Sequence, residues 1–179
     1  MKKIACLLLF SFISLWSPAQ SSAWKVVSSS VTFKIKNAGI TVNGSFSGLT
    51  ATINFDPAKG FGNKIEAEVE VNTINTSSNA RDTHLKKEEY FSADKFPRIT
   101  MKASTFSKEA DGRFKGFFTL TIKGVSNTVP VIFSLTETGD KAKLQGSFKI
   151  NRLDYKVGES SWVLSNDVVI SIDVAVAKQ

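Results

Sequence analysis

Cysteine and histidine are almost absent from this chain of 179 residues. Its single cysteine is Cys6, near the N-terminus, and its single histidine is His84. A disulfide framework, a cysteine nucleophile and a thiolate zinc site are therefore excluded for everything after residue 6. Because a zinc site at His84 would need carboxylates for all its other protein ligands, we expect no metal site. The fold must be held together by its apolar core.

Long apolar runs are also missing after the first residues. Two lysines precede an apolar run at residues 4–16, which is shorter than the ~20 residues that span a membrane. Small residues at 21–23 follow and fit a leader cleavage site. We expect residues 1–23 to be a signal peptide that directs export, and residues 24–179 to be one folded domain.

Dense runs of like charge are the third absence. The formal net charge is +7, but basic residues alternate with apolar ones or lie scattered in turns. Without an arginine-rich stripe, nucleic acid is not an expected partner. A weak attraction to anionic membrane surfaces remains open.

Apolar side chains instead recur at every second position along most of the chain. Successive side chains of a strand point to opposite faces, so this period indicates strands with one buried face. Eight segments show it, at residues 31–36, 50–56, 64–74, 98–106, 113–123, 128–137, 142–151 and 167–177. Eight such strands remove their exposed edges by closing into a barrel or stacking into a sandwich. We predict an all-β fold, an eight-stranded antiparallel barrel.

The inward face of this barrel carries large and small apolar side chains and no charge. Small residues either let a neighbouring ring lie across them, which fills the core, or leave a void. Both outcomes remain open, but small residues spread over several strands favour a void, in which an apolar ligand would bind. The inward residues predicted to contact it are Phe33, Ile35, Ala51, Ile53, Phe55, Met101, Ala103, Gly116, Phe118, Leu120, Phe133, Gly146 and Phe148.

Residues 75–97 interrupt the alternation and hold the richest polar cluster of the chain. Their spacing predicts a short helix with Asp82 or Thr83 as its N-cap, running through Tyr90. Phe96 precedes a proline, which returns the chain to extended geometry.

A catalytic site is not expected in this segment. Asp82 lies two positions from His84, which on a helix places it poorly for orienting the imidazole ring. The chain also contains no Gly-x-Ser-x-Gly turn for a serine nucleophile.

Several motifs together resemble those of the YceI-like, polyisoprenoid-binding family. They are Arg81-Asp82, His84-Leu85, Tyr90-Phe91, Phe96-Pro97 with Ile99-Thr100, Thr119 to Val125, and Asn151-Arg152-x-Asp154-Tyr155. The resemblance implies a lipocalin-like barrel in the periplasm that holds an isoprenoid tail, such as that of a quinone or polyprenyl lipid. Two positions depart from the family pattern: Ser92 stands where an aspartate is common, and Asn37 where a histidine is frequent.

The polar residues of the interruption have two interpretations. Arg81, Asp82 and His84 either anchor the helical segment over the barrel through an ion pair and hydrogen bonds, or meet a polar head group at the cavity mouth. In the second case the planar fork of Arg81 suits a phosphate, and His84 suits a carbonyl. The aromatic residues of the segment either line the entrance or hold the segment down; they are Tyr90, Phe91 and Phe96.

Three functions follow, in order of preference. The first is an exported protein that binds an isoprenoid lipid for carriage or storage, performs no chemistry and needs no other cofactor. The second is a filled-core barrel that binds a protein partner through its surface. The third is an enzyme acting on lipid head groups with His84 as its acid or base. The sequence leaves the oligomeric state open, a homodimer included.

Overall fold

The computed structural model describes residues 23–179, so the expected signal peptide, Ala23 excepted, lies outside the described residues. Within this range the strands are β1 (Ala23–Asn37), β2 (Ile40–Phe46), β3 (Thr50–Asn54), β4 (Lys64–Glu70), β5 (Arg98–Ala103), β6 (Phe106–Lys108), β7 (Phe114–Ile122), β8 (Val125–Thr138), β9 (Lys141–Asn151) and β10 (Leu164–Lys178). Helix α1 is Asn79–Leu85, and two 3-10 turns are Val71–Thr73 and Arg152–Tyr155. No helix in this part of the chain has both the length and the apolar content needed to traverse a bilayer.

These strands occupy eight positions around a closed antiparallel barrel. Neighbours follow the order β10-β9-β8-β7-β5-β4-β3-β1, and β1 pairs back to β10 from Trp24 opposite Lys178 to Asn37 opposite Leu164. β2 and β3 pair with opposite ends of β1, while β5 and β6 pair with different parts of β7, so each of these two pairs fills one position. The predicted eight-stranded antiparallel barrel is confirmed.

Parts of the strand prediction were wrong. β1 starts at Ala23, well before its predicted start, and residues 40–46 form β2, which the alternation did not predict. The strand predicted at residues 64–74 ends at Glu70, where a 3-10 turn follows. Gly44 lies inside β2, and the ring of Phe33 occupies the place of a side chain there. The chain bends after β2, at Gly48, whose φ of +69° favours glycine.

One end of the barrel is filled by aromatic side chains, which we call the aromatic plug: Trp24, Phe55, Phe106, Phe114, Phe118 and Phe133. Phe55 lies at its centre, and the ring centroids of Phe106 and Phe114 are each 5.1 Å from its own in edge-to-face packing. The indole N–H of Trp24 donates to the backbone oxygen of Phe55 at 2.8 Å. Side chains from several walls of the barrel therefore meet across its axis at this end.

At two glycines in the plugged end, neighbouring atoms already lie close to the place of a side chain. A Cβ on Gly116 would lie 2.6 Å from Phe118 Cε2 and 3.0 Å from Phe106 Cδ1. A Cβ on Gly146 would lie 3.2 Å from Phe133 Cβ. Large and small residues interdigitate here, as the filled-core interpretation predicted.

We expect Gly116→Ala to lower the free energy of unfolding by about 1–3 kcal/mol, because the added methyl group overlaps two rings of the aromatic plug. The matched control is Gly60→Ala, where no atom lies within 4 Å of the added Cβ, and its effect should stay within about 0.5 kcal/mol. Urea unfolding of both variants measures the difference. Equal stabilities would mean that the plug is loosely packed.

Candidate ligand-binding cavity

The other half of the barrel encloses a cavity of about 700 Å³. That volume lies within the usual range for sites that bind small molecules. Its walls are apolar and are supplied by seven strands: Val31, Phe33, Ile35, Val42, Phe46, Ala67, Val69, Ile99, Met101, Leu120, Ile122, Phe148, Ile150, Val168, Ile170 and Ile172. The filled-core interpretation therefore holds for only one half of the molecule.

Helix α1 lies over the open end of this cavity. Its N-cap is Ser78, whose hydroxyl accepts a hydrogen bond from the backbone N–H of Arg81 at 3.4 Å. The predicted caps, Asp82 and Thr83, were wrong: the helix begins earlier, at Asn79, and ends at Leu85. Ser78 is extended, with φ −148° and ψ 104°, the backbone geometry in which a serine caps a helix.

Thr76 forms hydrogen bonds with α1, and the preceding residue, Asn75, pairs through its backbone with Ser45 of β2. Asp82 Oδ1 accepts hydrogen bonds from Thr76 N at 2.9 Å and from Thr76 Oγ1 at 2.5 Å. Arg81 Nε donates to Thr76 Oγ1, and Arg81 Nη2 donates to the Thr76 carbonyl, both at 2.8 Å. Hydrogen bonds of the predicted kind are thus formed by Arg81 and Asp82, whereas the predicted ion pair is not: the two charged side chains meet through Thr76 and form no ion pair within residues 23–179.

Arg81 and His84 lie one helical turn apart and both border the cavity mouth. The imidazole ring of His84 packs against the ring of Tyr90, with centroids 5.0 Å apart and an interplanar angle of 61°. Phe91, beyond Tyr90, packs edge-to-face on Phe46 of β2 at 6.0 Å. Aromatic side chains thus extend the apolar lining of the cavity to its mouth.

The side chains of Arg81 and His84 at the mouth can form hydrogen bonds with polar groups of a ligand. The carboxylate of Asp82 is engaged by Thr76, and it does not line the cavity, so it cannot orient His84. No group of three or more histidine, cysteine or acidic side chains suited to a metal ion exists within residues 23–179.

Nine of the predicted ligand-contact residues line the cavity: Phe33, Ile35, Arg81, His84, Tyr90, Phe91, Met101, Leu120 and Phe148. The structure places the other ten elsewhere: Ala51, Ile53, Phe55, Asp82, Phe96, Ala103, Gly116, Phe118, Phe133 and Gly146. Most of these ten belong to the plugged end or pack beside it, whereas Phe96 packs on Gly124 away from the cavity. The hollow therefore does not extend along the whole barrel, and ligand contact itself stays a prediction.

Sequence reasoning missed Arg152, which borders the cavity and is only 4% exposed. Its guanidinium forms no ion pair within the described residues. It donates to carbonyl oxygens of the chain at residues 157–165 and to an amide oxygen: Ser165 O at 3.0 Å, Val157 O at 2.8 Å, Glu159 O at 2.7 Å, Leu164 O at 3.5 Å and Asn166 Oδ1 at 3.2 Å. Burial lowers the pKa of Arg152 below its ordinary value.

Arg152 thus fastens the segment at residues 157–166 to the barrel beside the mouth. The backbone N–H of Gly158 in the same segment donates to the carbonyl of Glu89 at 2.8 Å, which joins it to the chain after α1. One feature of the sequence drew attention to Arg152: it belongs to the Asn151-Arg152 pair that matches the family motif. The motif does not indicate which groups accept hydrogen bonds from Arg152.

Comparison with known proteins decides the family, because the YceI-like domain matches residues 24–176. The chain belongs to the YceI family. Among its relatives, the protein YceI of Salmonella arizonae is 26% identical over 156 residues, which cover 83% of this chain and 81% of that protein.

Solved structures share the YceI-family fold. Burkholderia cenocepacia BcnA superposes with a TM-score of 0.78 at 22% identity, covering 82% of this chain and 95% of BcnA. A polyisoprenoid binding domain from Saccharophagus degradans, implicated in plant cell wall breakdown, gives a TM-score of 0.71 at 14% identity, covering 88% of this chain and 98% of that domain. At these identities the likeness establishes the barrel fold.

We expect Arg152→Ala to lower the free energy of unfolding by about 3 kcal/mol, because it leaves several buried carbonyl oxygens without a donor. Amide hydrogens at residues 157–166 should also exchange faster with solvent. Arg98→Ala is the control: its exposed ion pair with Glu68, at 3.3 Å, should contribute no more than about 1 kcal/mol. Equal losses in the two variants would contradict the anchoring role of Arg152.

Proposed function

We propose that this YceI-family protein is exported to the periplasm and binds an isoprenoid lipid, of the quinone or polyprenyl type, for carriage or storage. The observation that carries the proposal is the cavity of about 700 Å³ with an apolar wall, closed by the aromatic plug at one end and bordered by α1 at the other. A site of this shape suits a long apolar chain with a polar group at one end.

Burial of the hydrocarbon supplies the affinity in this proposal. Each methylene group removed from water contributes about 0.8 kcal/mol, so a tail of about twenty carbons gains well over 10 kcal/mol before the cost of ordering it is subtracted. No hydrogen bond to the tail is needed. The polyisoprenoid binding domain of Saccharophagus degradans has the same fold, which supports this choice of ligand class.

Arg81 and His84 are the proposed contacts for the polar head group. Thr76 engages Nε and one N–H of Nη2 of Arg81, so the remaining donors of its guanidinium are open to a ligand at the exposed mouth. A phosphate or a quinone carbonyl accepts such hydrogen bonds. Asp82 is engaged by Thr76, and His84 has no carboxylate partner among residues 23–179, so we propose binding without turnover.

Native mass spectrometry of the protein purified from its host tests the proposal directly. We expect a bound prenyl lipid whose mass identifies its head group and chain length. Repeated purification without any hydrophobic ligand would contradict the lipid-binding function.

We expect Ala67→Phe to reduce lipid binding at least tenfold, because the new ring would occupy the cavity that Ala67 lines. Its free energy of unfolding should change little, since the ring enters open space. Ala103→Phe is the matched control in the packed part of the barrel, where Ala103 is 7% exposed and overpacking costs about 1–3 kcal/mol. If both variants lose the same stability and bind lipid normally, the cavity is not the ligand site.

A further inference from the structure

Three exposed apolar side chains lie together beside the cavity mouth: Ile40, Trp162 and Val163, which we call the rim patch. Their exposed fractions are 71%, 99% and 43%. The backbone N–H of Ala38 donates to the carbonyl of Val163 at 2.7 Å, which joins the β1–β2 turn to the segment that carries Trp162. Asn37, which pairs with Ile40 in register, and Leu164, which follows Val163 in the chain, both line the cavity.

The position of the rim patch distinguishes it from the other exposed apolar residues. Phe61, 87% exposed, lies in the loop between β3 and β4, at the plugged end of the barrel. Val27, Phe117, Ile132 and Val169 are single positions along strands of the outer wall. Tryptophan is enriched where proteins meet the interface of a bilayer, because its ring is apolar and its N–H finds a polar partner there.

Positive charge accompanies the rim patch. Lys34 and Lys36 alternate with cavity-lining residues near the end of β1, Arg81 lines the cavity from α1, and Lys87 follows α1 in the chain. None of these four forms an ion pair within residues 23–179, where the ion pairs involve other cations.

Three carboxylates outside the ion pairs oppose this charge near the mouth. Asp82 lies next to Arg81 in α1, Glu159 precedes Trp162 in the same segment, and Glu89 lies beside Gly158. Glu68 lines the cavity but is paired with Arg98. The unpaired cations outnumber the three carboxylates, so the field around the mouth favours a negatively charged partner.

We infer that the rim patch docks on the surface of an anionic lipid bilayer. Trp162 and Ile40 enter the interface, the cations of β1 and α1 attract the anionic head groups, and the cavity mouth faces the bilayer. This inference rests on the proposed function, because docking gives an isoprenoid lipid a path between bilayer and cavity. On that path its apolar tail is not exposed to water, where exposure is unfavourable.

Vesicle sedimentation tests the docking surface. The purified protein is mixed with vesicles of phosphatidylcholine alone, or of equal parts phosphatidylcholine and phosphatidylglycerol, neither containing isoprenoid. We expect at least fivefold more bound protein on the anionic vesicles, and the difference should shrink as salt is added. Iodide should quench Trp162 less in the bound state.

Variants locate the contact on the molecule. The double variant Ile40→Ser with Trp162→Ser should lower vesicle binding at least fivefold, and Lys34→Gln with Lys36→Gln should weaken the preference for anionic vesicles. Phe61→Ser removes another highly exposed aromatic ring, from the far end, and should bind like the unchanged protein. Because all five side chains are exposed, circular dichroism should show unchanged folding.

Two kinds of outcome overturn the inference: equal binding to both vesicle types or to neither, or a loss with Phe61→Ser as large as with the rim variants. Loading with prenyl lipid from detergent micelles separates this failure from failure of the proposed function. If the rim variants load normally from micelles but vesicles show no docking, only the docking surface is wrong. If no variant and not even the unchanged protein loads from micelles, the lipid-binding function is wrong whatever the vesicles show.

Discussion

The pairing of β1 with β10 is the constraint on which the rest of the molecule depends. It extends from Trp24 opposite Lys178 to Asn37 opposite Leu164, so the first and last described strands close the barrel along its length. Closure satisfies the backbone hydrogen bonds of both strands and creates an inside. The same strand pair connects the two ends of the barrel: Trp24 belongs to the aromatic plug, and Asn37 lines the cavity at its mouth.

A barrel of eight strand positions is at the size where side chains either fill the interior or leave room for one ligand, and this chain does both. At one end the rings around Phe55 reach across the axis, and Gly116 makes room for them. At the other end the walls are mainly aliphatic, and Ala67 faces an open space. The packed aromatic plug stabilises the fold, so the other half of the barrel can enclose a cavity.

The mouth is organised by two polar clusters that bind chain segments to the barrel. Thr76, with Asp82 and Arg81, holds the start of α1, while Arg152 holds the segment that carries Trp162. In both clusters charged side chains form hydrogen bonds with neutral groups of the chain. The surfaces they position differ in character: α1 presents polar side chains to the cavity, and the second segment presents apolar ones to solvent.

Alternation along the chain by itself predicted most of the strands, their inward face and the antiparallel barrel, because burial of one face is a local property of each strand. It missed β2 and the first part of β1. The motifs around residues 81–97 likewise pointed to the family. Only the tertiary structure decided where the hollow ends, since a glycine such as Gly116 is filled or empty according to rings that reach it from elsewhere in the chain. The same holds for Arg152, whose acceptors are carbonyl oxygens that carry no side-chain signature in the sequence.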